Sequence, residues 1–358
     1  MLTAPLRCGM SSRAAPVLMD NLTAIWRRVL RRSHVEAHEN FFDLGGDPAA
    51  AAELFQQISA LAGREIPPAF IYQFPTPAAM ARLLEQAEGF RVQPLVLLKP
   101  GGNSAPVYLI HGLGGSVLEF FHLIKHLQTV GSVYGTQLRG CGGVEEPLDS
   151  VEAMTSYHLN AIRSVQPHGP YTLVGYSFGG LEALELARQL RRHGEKLALV
   201  VMVDSYLHPR QLPRREQVRW LSQRVSKLFS TIARPKSYKL RAWGSRHLKV
   251  RGVASEAENL KGQHGVRRAL PSSPFAKRVQ DCAHVAWKSY RPGFYEGNVR
   301  FIKAAIDSSF PRNPAAVWGS LIDDFTMEVA PGNHLDMLTT YSSDLAALLS
   351  QFLNESTG

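Results

Sequence analysis

Gly175-Tyr176-Ser177-Phe178-Gly179-Gly180 places a hydroxyl among small residues, after the apolar run Tyr171 to Val174 and ahead of a strongly helical segment. That spacing suits a sharp strand-to-helix turn, because positions two before and two after the serine must be small if the turn is to clear neighbouring strands. The serine oxygen is then lifted into the open as a nucleophile. Amides at the start of the following helix favour negative charge developing beside it. A second donor has to come from another loop, and His111-Gly112-Leu113-Gly114-Gly115-Ser116 follows directly on the apolar run Val107 to Ile110. Its glycines let backbone approach a substrate oxygen closely. The main-chain amides of Leu113 and Phe178 are therefore the candidate oxyanion donors. The loop has neither a P-loop lysine nor a nucleotide-binding glycine spacing, which argues against phosphate binding.

A serine needs a base, and in triads built on this kind of turn the acid and then the histidine follow the nucleophile along the chain. That order excludes His111 and His158. Of the later histidines, His193 lies near a helix end and His208, His247 and His264 lie in a basic segment, whereas His334 follows the strand-like run Phe325 to Val329 across Pro331-Gly332-Asn333. His334 is the preferred base. Two carboxylates compete to orient it: Asp204 ends the run Leu197 to Val203, and Asp307 ends a later run that begins at Val299. Either could hold the ring and stabilise its imidazolium form. Asp323 and Asp324 read as exposed loop carboxylates.

The elements that must position these groups alternate in type. Val107 to Ile110, Val133 to Thr136, Tyr171 to Val174 and Leu197 to Val203 have the continuous apolar character of buried parallel strands. Helical segments near Val117 to Leu127, Val151 to Val165 and Phe178 to His193 separate them, which predicts a doubly wound sheet. Strands resume at Val299 to Ala305 and Phe325 to Val329, a helix closes the chain near Leu345 to Leu353, and Leu95 to Leu98 is placed to join the sheet. Upstream, Leu22, Ile25, Trp26, Val29 and Leu30 make an amphipathic helix of Asn21 to Arg32. Asp47 as cap and Pro48 as first residue signal a second helix from Ala49 to about Leu61. A turn at Pro67 to Tyr72 and a helix from Pro77 to Glu88 complete a small bundle. The expected division is a loose segment 1–19, a helical bundle 20–89 and a larger α/β unit 90–358.

The charge is unevenly spread. Between Arg210 and Arg278 stand eighteen Lys or Arg against three Glu, an excess of fifteen in a chain whose net charge is +10, so the remainder is acidic by about five. This stretch, which largely coincides with an insert of about 206–275, lacks interleaved aromatic stacking pairs or a DNA-reading motif and reads as a solvated helical segment. Neither nucleic acid nor membrane is an expected partner. No apolar run reaches the roughly 18 residues of a spanning helix, and residues 1–19 lack a signal-type apolar stretch. Cys8, Cys141 and Cys282 are too few and scattered for a disulfide framework or a metal cluster, which fits a cytoplasmic protein.

Gln166-Pro167-His168-Gly169-Pro170-Tyr171 leading into the Ser177 motif resembles the releasing thioesterase domains of nonribosomal peptide and polyketide synthetases. The likeness runs from about Pro94 onward and takes in the His111 to Gly115 loop, Tyr134-Gly135-Thr136-Gln137 with Arg139-Gly140, and Gly332-Asn333-His334-Leu335-Asp336-Met337. It implies an α/β-hydrolase fold with a helical lid at the basic insert, and it shifts the acid role toward Asp204. Phe41-Phe42-Asp43-Leu44-Gly45-Gly46-Asp47 and Phe74-Pro75-Thr76 resemble the carrier domains that precede such thioesterases. There the next residue is the serine that receives phosphopantetheine. Here it is Pro48, which has neither hydroxyl nor backbone N–H, and Ser33 and Ser59 stand elsewhere.

The resemblance implies Ser177, Asp204 and His334 as a catalytic triad, with no bound metal or cofactor. It also implies release of an acyl or peptidyl thioester in secondary-metabolite biosynthesis; because Pro48 prevents loading in cis, that thioester is expected in trans, on the carrier domain of another synthetase polypeptide or on coenzyme A. The basic insert would meet the phosphate of such an arm or an acidic carrier. The alternatives are an esterase or acyltransferase working on oxygen esters, and a non-catalytic scaffold.

Overall fold

A computed structural model describes residues 14–85, 91–222, 274–306 and 313–357. Three helices open the fold: α1 (Ala14–Leu30), α2 (Pro48–Ala62) and α3 (Pro77–Leu84), with a 3-10 turn at Pro68–Tyr72 between the last two. Leu22, Ile25, Trp26 and Val29 of α1 are buried as their spacing predicts, against Leu54, Phe55 and Ile58 of α2 and Phe70 and Ile71 of the turn. The first helix starts at Ala14 instead of Asn21, so the segment expected to be loose is helical from residue 14. Leu18 lies one turn before Leu22 and, with Met19, packs on the same core, which extends the helix backward. Asp47 caps α2 through its carboxylate, which accepts the Ala50 N–H at 2.7 Å, and Pro48 is the first helical residue.

The larger unit is built on a seven-stranded sheet. Its strands are β1 (Leu95–Lys99), β2 (Gly102–Ile110), β3 (Gly131–Thr136), β4 (Tyr171–Tyr176), β5 (Leu197–Val203), β6 (Tyr295–Ala304) and β7 (Ile322–Ala330), in the spatial order β1-β3-β2-β4-β5-β6-β7. β1 runs antiparallel to β3 and every other pairing is parallel. β4 lies in the middle with all its residues buried. One face is covered by α5 (Val151–Val165), α6 (Gly179–Arg192), α7 (Pro274–Ser289) and α8 (Pro314–Trp318); the other by α4 (Phe121–His126) and α9 (Ser342–Thr357). Sheet faces covered on both sides explain why the strands read as unbroken apolar runs.

The structure differs from the expectations in several places. The helix expected over Val117 to Leu127 begins as a 3-10 turn, Val117–Phe120, capped by Ser116, and only then becomes α4. α7 escaped the sequence reading because its buried stripe, Val279, Ala283 and Ala286, is mostly small, so its apolar signal is weak against the surrounding charge. Asp323 and Asp324 are exposed, but they stand on β7 rather than in a loop. β7 is the edge of the sheet, where carboxylates are tolerated and discourage further pairing. Asp307, His247, His264 and most of the basic insert lie outside the described residues, as do residues 1–13 and 86–90.

The two units share apolar packing. The core of the N-terminal helices continues into Val96 of β1 and into Val117 and Leu118, and the Phe42 ring meets Phe121 of α4 at 5.9 Å between centroids.

Candidate active site

β4 ends at Tyr176, the chain turns at Ser177 with φ of 55°, and α6 begins two residues later. A left-handed conformation at a non-glycine residue is strained and persists only where its surroundings enforce it. Here the Ser177 N–H donates to Val203 O at 2.8 Å. The small residues of the motif have direct steric causes. A Cβ on Gly175 would stand 2.1 Å from Gly179 O, and one on Gly179 would stand 2.3 Å from both Ile110 O and His111 O.

The loop after β2 lies against this turn, since a Cβ on Gly112 would come within 3.5 Å of Ser177 Cβ. Among the described residues, neither the Leu113 nor the Phe178 amide has a partner within the chain. Both therefore remain available as donors. Gly112 N–H donates to the Glu119 carboxyl, a contact the sequence reading missed. Burial pushes that carboxyl up to about 8, and the bond from Gly112 works against the rise. Ser116 and Glu119 have the spacing of a capping box, but the Ser116 hydroxyl accepts from Leu118 N and Glu119 reaches past the cap to Gly112, so that spacing does not signal the contact.

Asp204 follows β5 and is also left-handed, at φ 44°. Its N–H donates to Ile302 O at 2.7 Å, and its Oδ1 accepts from Ala304 N at 3.1 Å and from the Tyr206 hydroxyl at 3.2 Å. Its Oδ2 accepts from His334 Nδ1 at 2.7 Å. His334 Nε2 in turn lies 2.9 Å from Ser177 Oγ. Since the buried carboxylate only accepts, Nδ1 carries the hydrogen and Nε2 presents a lone pair to the serine hydroxyl.

The His334 loop is fixed from several sides. Asn333 Oδ1 accepts the amides of Leu335 and Asp336 at 2.9 and 3.0 Å, its amide donates to Asp336 Oδ2 at 2.6 Å, and the Tyr176 hydroxyl donates to His334 O. The Tyr176 ring stacks on the imidazole at 5.0 Å. Burial first, then the nearby Glu119, Asp204 and Asp336 carboxylates, raise the Tyr176 hydroxyl above the usual tyrosine range, so it stays a donor.

The structure thus brings Ser177, His334 and Asp204 into one hydrogen-bonded chain and lays the Leu113 loop beside Ser177. His193 is exposed and bonds Gln189 O, while His208 caps the turn Pro209–Gln211. His111 and His158 are buried with Glu182 between them, and these three are the His/Cys/Asp/Glu group among the described residues whose ligand atoms converge closely enough for a metal. At the start of α2 the residues present do not fit a covalently attached phosphopantetheine. Pro48 offers no nucleophile, and Ser59 stands in the last turn of α2, where its Oγ accepts the Ile66 amide at 3.0 Å.

The thioesterase-domain family profile matches residues 105–353, and the profile described as a phosphopantetheine attachment site matches residues 20–84. Malpibaldin synthetase of Mortierella alpina is 36% identical over 187 residues, which is 51% of this chain and 3% of that protein. Indigoidine synthase of Dickeya dadantii (strain 3937) is 36% identical over 178 residues, which is 50% of this chain and 12% of that protein. The chain therefore spans a small fraction of the relatives it matches. A crystal structure of a holo four-domain nonribosomal peptide synthetase bound to AMP and glycine aligns over 98% of this chain and 27% of its own, with a TM-score of 0.57 and 21% identity, a likeness of fold. The mostly parallel sheet flanked by helices is an α/β-hydrolase fold, with a carrier-type helical unit before it. The chain belongs to the thioesterase family.

Proposed function

We propose that this chain is a serine thioesterase that releases an acyl or peptidyl group from a pantetheine-type thioester in secondary-metabolite biosynthesis. The single observation that carries the reading is the unbroken chain from Ser177 Oγ to His334 Nε2 at 2.9 Å and from His334 Nδ1 to Asp204 Oδ2 at 2.7 Å. Ser177 Oγ attacks the thioester carbonyl carbon as His334 Nε2 takes its proton. Asp204 holds the ring and stabilises the imidazolium, while the Leu113 and Phe178 amides receive the negative oxygen of the tetrahedral intermediate. Collapse breaks the carbon–sulfur bond, His334 returns the proton to the departing thiolate, and the acyl group remains on Ser177 as an ester. Water, an amine or an alcohol then attacks that ester through the same base, giving hydrolysis, transfer or cyclisation.

Because Pro48 carries no hydroxyl, the acyl group is delivered by a carrier domain other than this N-terminal unit, or by coenzyme A. The N-terminal unit keeps a carrier's helices without a carrier's attachment chemistry.

The test is turnover of a panel of acyl pantetheine thioesters, each paired with its oxygen ester, by the native protein and by Ser177→Ala. The reading expects thiol release from the native protein alone and a preference for the thioester. Equal or better cleavage of the oxygen esters contradicts the thioesterase assignment. Thiol release that survives Ser177→Ala contradicts the serine mechanism.

A further inference from the structure

His111 and His158 are fully buried under the Leu113 loop, and Glu182, also fully buried, lies between them. Their hydrogens can be assigned from their neighbours. His111 Nδ1 is 2.8 Å from Gly112 O and His158 Nε2 is 3.0 Å from Gln137 O. A carbonyl oxygen only accepts, so both of those nitrogens carry hydrogen. The other ring nitrogens face Glu182, with His158 Nδ1 at 2.9 Å from Oε2 and His111 Nε2 at 3.8 Å from Oε1. The shorter contact is a hydrogen bond only if a proton lies within it. His111 Nε2 and Glu182 Oε1 have no hydrogen-bond partner. Burial holds His111 below the usual histidine range, in keeping with a neutral Nδ1–H tautomer.

Two of these residues belong to the parts that must stay in register for an oxyanion to be held. Glu182 stands in the first turn of α6, four residues after Phe178, and His111 fixes the carbonyl of Gly112, the residue before Leu113. The His111 and His158 rings meet edge to face at 5.4 Å. We propose that Glu182, through the proton it shares with His158, is a positioning residue that holds His111 and so sets the spacing between the Phe178 and Leu113 amides. This inference rests on the oxyanion role proposed above for those two amides. Glu182 touches no substrate; bonded to His158 and packed against His111 at 3.8 Å, it stands between the helix that carries one donor and the loop that carries the other.

The experiment compares Glu182→Leu, which removes the link, with Glu182→Gln, whose amide can still donate to His158 Nδ1. Misplaced oxyanion donors cost less than a deleted one, so Glu182→Leu is expected to lower kcat about tenfold with KM changed less than about twofold. Glu182→Gln is expected to retain kcat within about threefold. Inactivation of Ser177 by a fluorophosphonate, which forms a tetrahedral adduct, should slow in parallel in Glu182→Leu. Full kcat in a folded Glu182→Leu variant overturns the proposal. So does a fall shared equally by Glu182→Gln.

On the native protein, histidine nitrogen NMR is expected to show His111 as the Nδ1–H tautomer, with a proton on His158 Nε2 and a second between its Nδ1 and Glu182. An Nε2–H tautomer at His111, or a stoichiometric metal ion in the purified protein, overturns the proposal even if Glu182→Leu does not fold. An inert native protein, by contrast, strikes the proposed function, while the tautomers still decide the positioning claim.

Discussion

The turns that lead into α2 and α6 differ in chemistry: the turn into α6 carries a nucleophile and the turn into α2 does not. At the start of α6 the chain strains Ser177 into a left-handed conformation and brings His334 to 2.9 Å from its hydroxyl. At the start of α2 the turn is relaxed and well made: Asp47 caps the helix at 2.7 Å and Pro48 presets its first residue. The second turn satisfies helix physics better than it would with a serine, because proline is favoured at the first helical position. What keeps a carrier-type helix folded is therefore separable from what lets it carry an acyl group. At Ser177 the two share more, since the glycines and the strain that shape the turn also set the hydroxyl against its base.

The comparison can be broken most sharply at Ser177. Ser177→Ala is expected to reduce thioester turnover by at least about 10⁴-fold without loss of fold, as measured by thiol release and circular dichroism. Asp204→Asn is next, with a fall of about 10³- to 10⁴-fold in kcat, because the amide favours the wrong imidazole tautomer. The same change at Asp307 is expected to alter kcat by less than about twofold. The opposite result for the two aspartates would reassign the acid.

At the other turn, Pro48→Ser is expected to gain covalent phosphopantetheine when treated with a phosphopantetheinyl transferase and coenzyme A, while the native protein gains none on intact-mass measurement. Modification of the native chain would contradict supply from another carrier. Asp47→Ala is expected to cost about 1 kcal/mol in the unfolding of the N-terminal helices and to leave turnover of free acyl pantetheine unchanged.

Glu119 gives the smallest effect and the one set by pH. Its carboxyl is pushed up to about 8, so it stays neutral beside the Gly112 amide at neutral pH and ionises above that point. An anion there opposes the oxyanion charge, so kcat should decline above about pH 8, and Glu119→Gln should flatten that limb. The folded state holds this proton where the unfolded chain has released it, so the group lowers stability progressively from about pH 4.5 to about 8. Glu119→Gln should make Tm less dependent on pH across that window.

Much of this was legible before any coordinates. The strands of the parallel sheet announce themselves as apolar runs because both faces are covered, and Leu197–Val203 and Val151–Val165 match their expected bounds. The serine turn is legible because its glycines are forced by backbone atoms 2.1 and 2.3 Å away. The choice between Asp204 and Asp307 was not open to spacing alone, since both stand at strand ends; the contact of Asp204 with His334 is a matter of three-dimensional position. α7 was hidden because alanines do most of its buried packing. The Glu182 cluster was hidden because a helix-borne glutamate and two histidines distant in sequence give no pattern until α5, α6 and the loop after β2 meet.

The most direct measurement is intact mass of the native protein during turnover of an acyl pantetheine thioester, with the modified peptide mapped. The expected result is a transient acyl adduct on Ser177 that decays as product appears and is missing in Ser177→Ala. Turnover with an adduct at any other residue, or turnover undiminished in Ser177→Ala, would contradict the account.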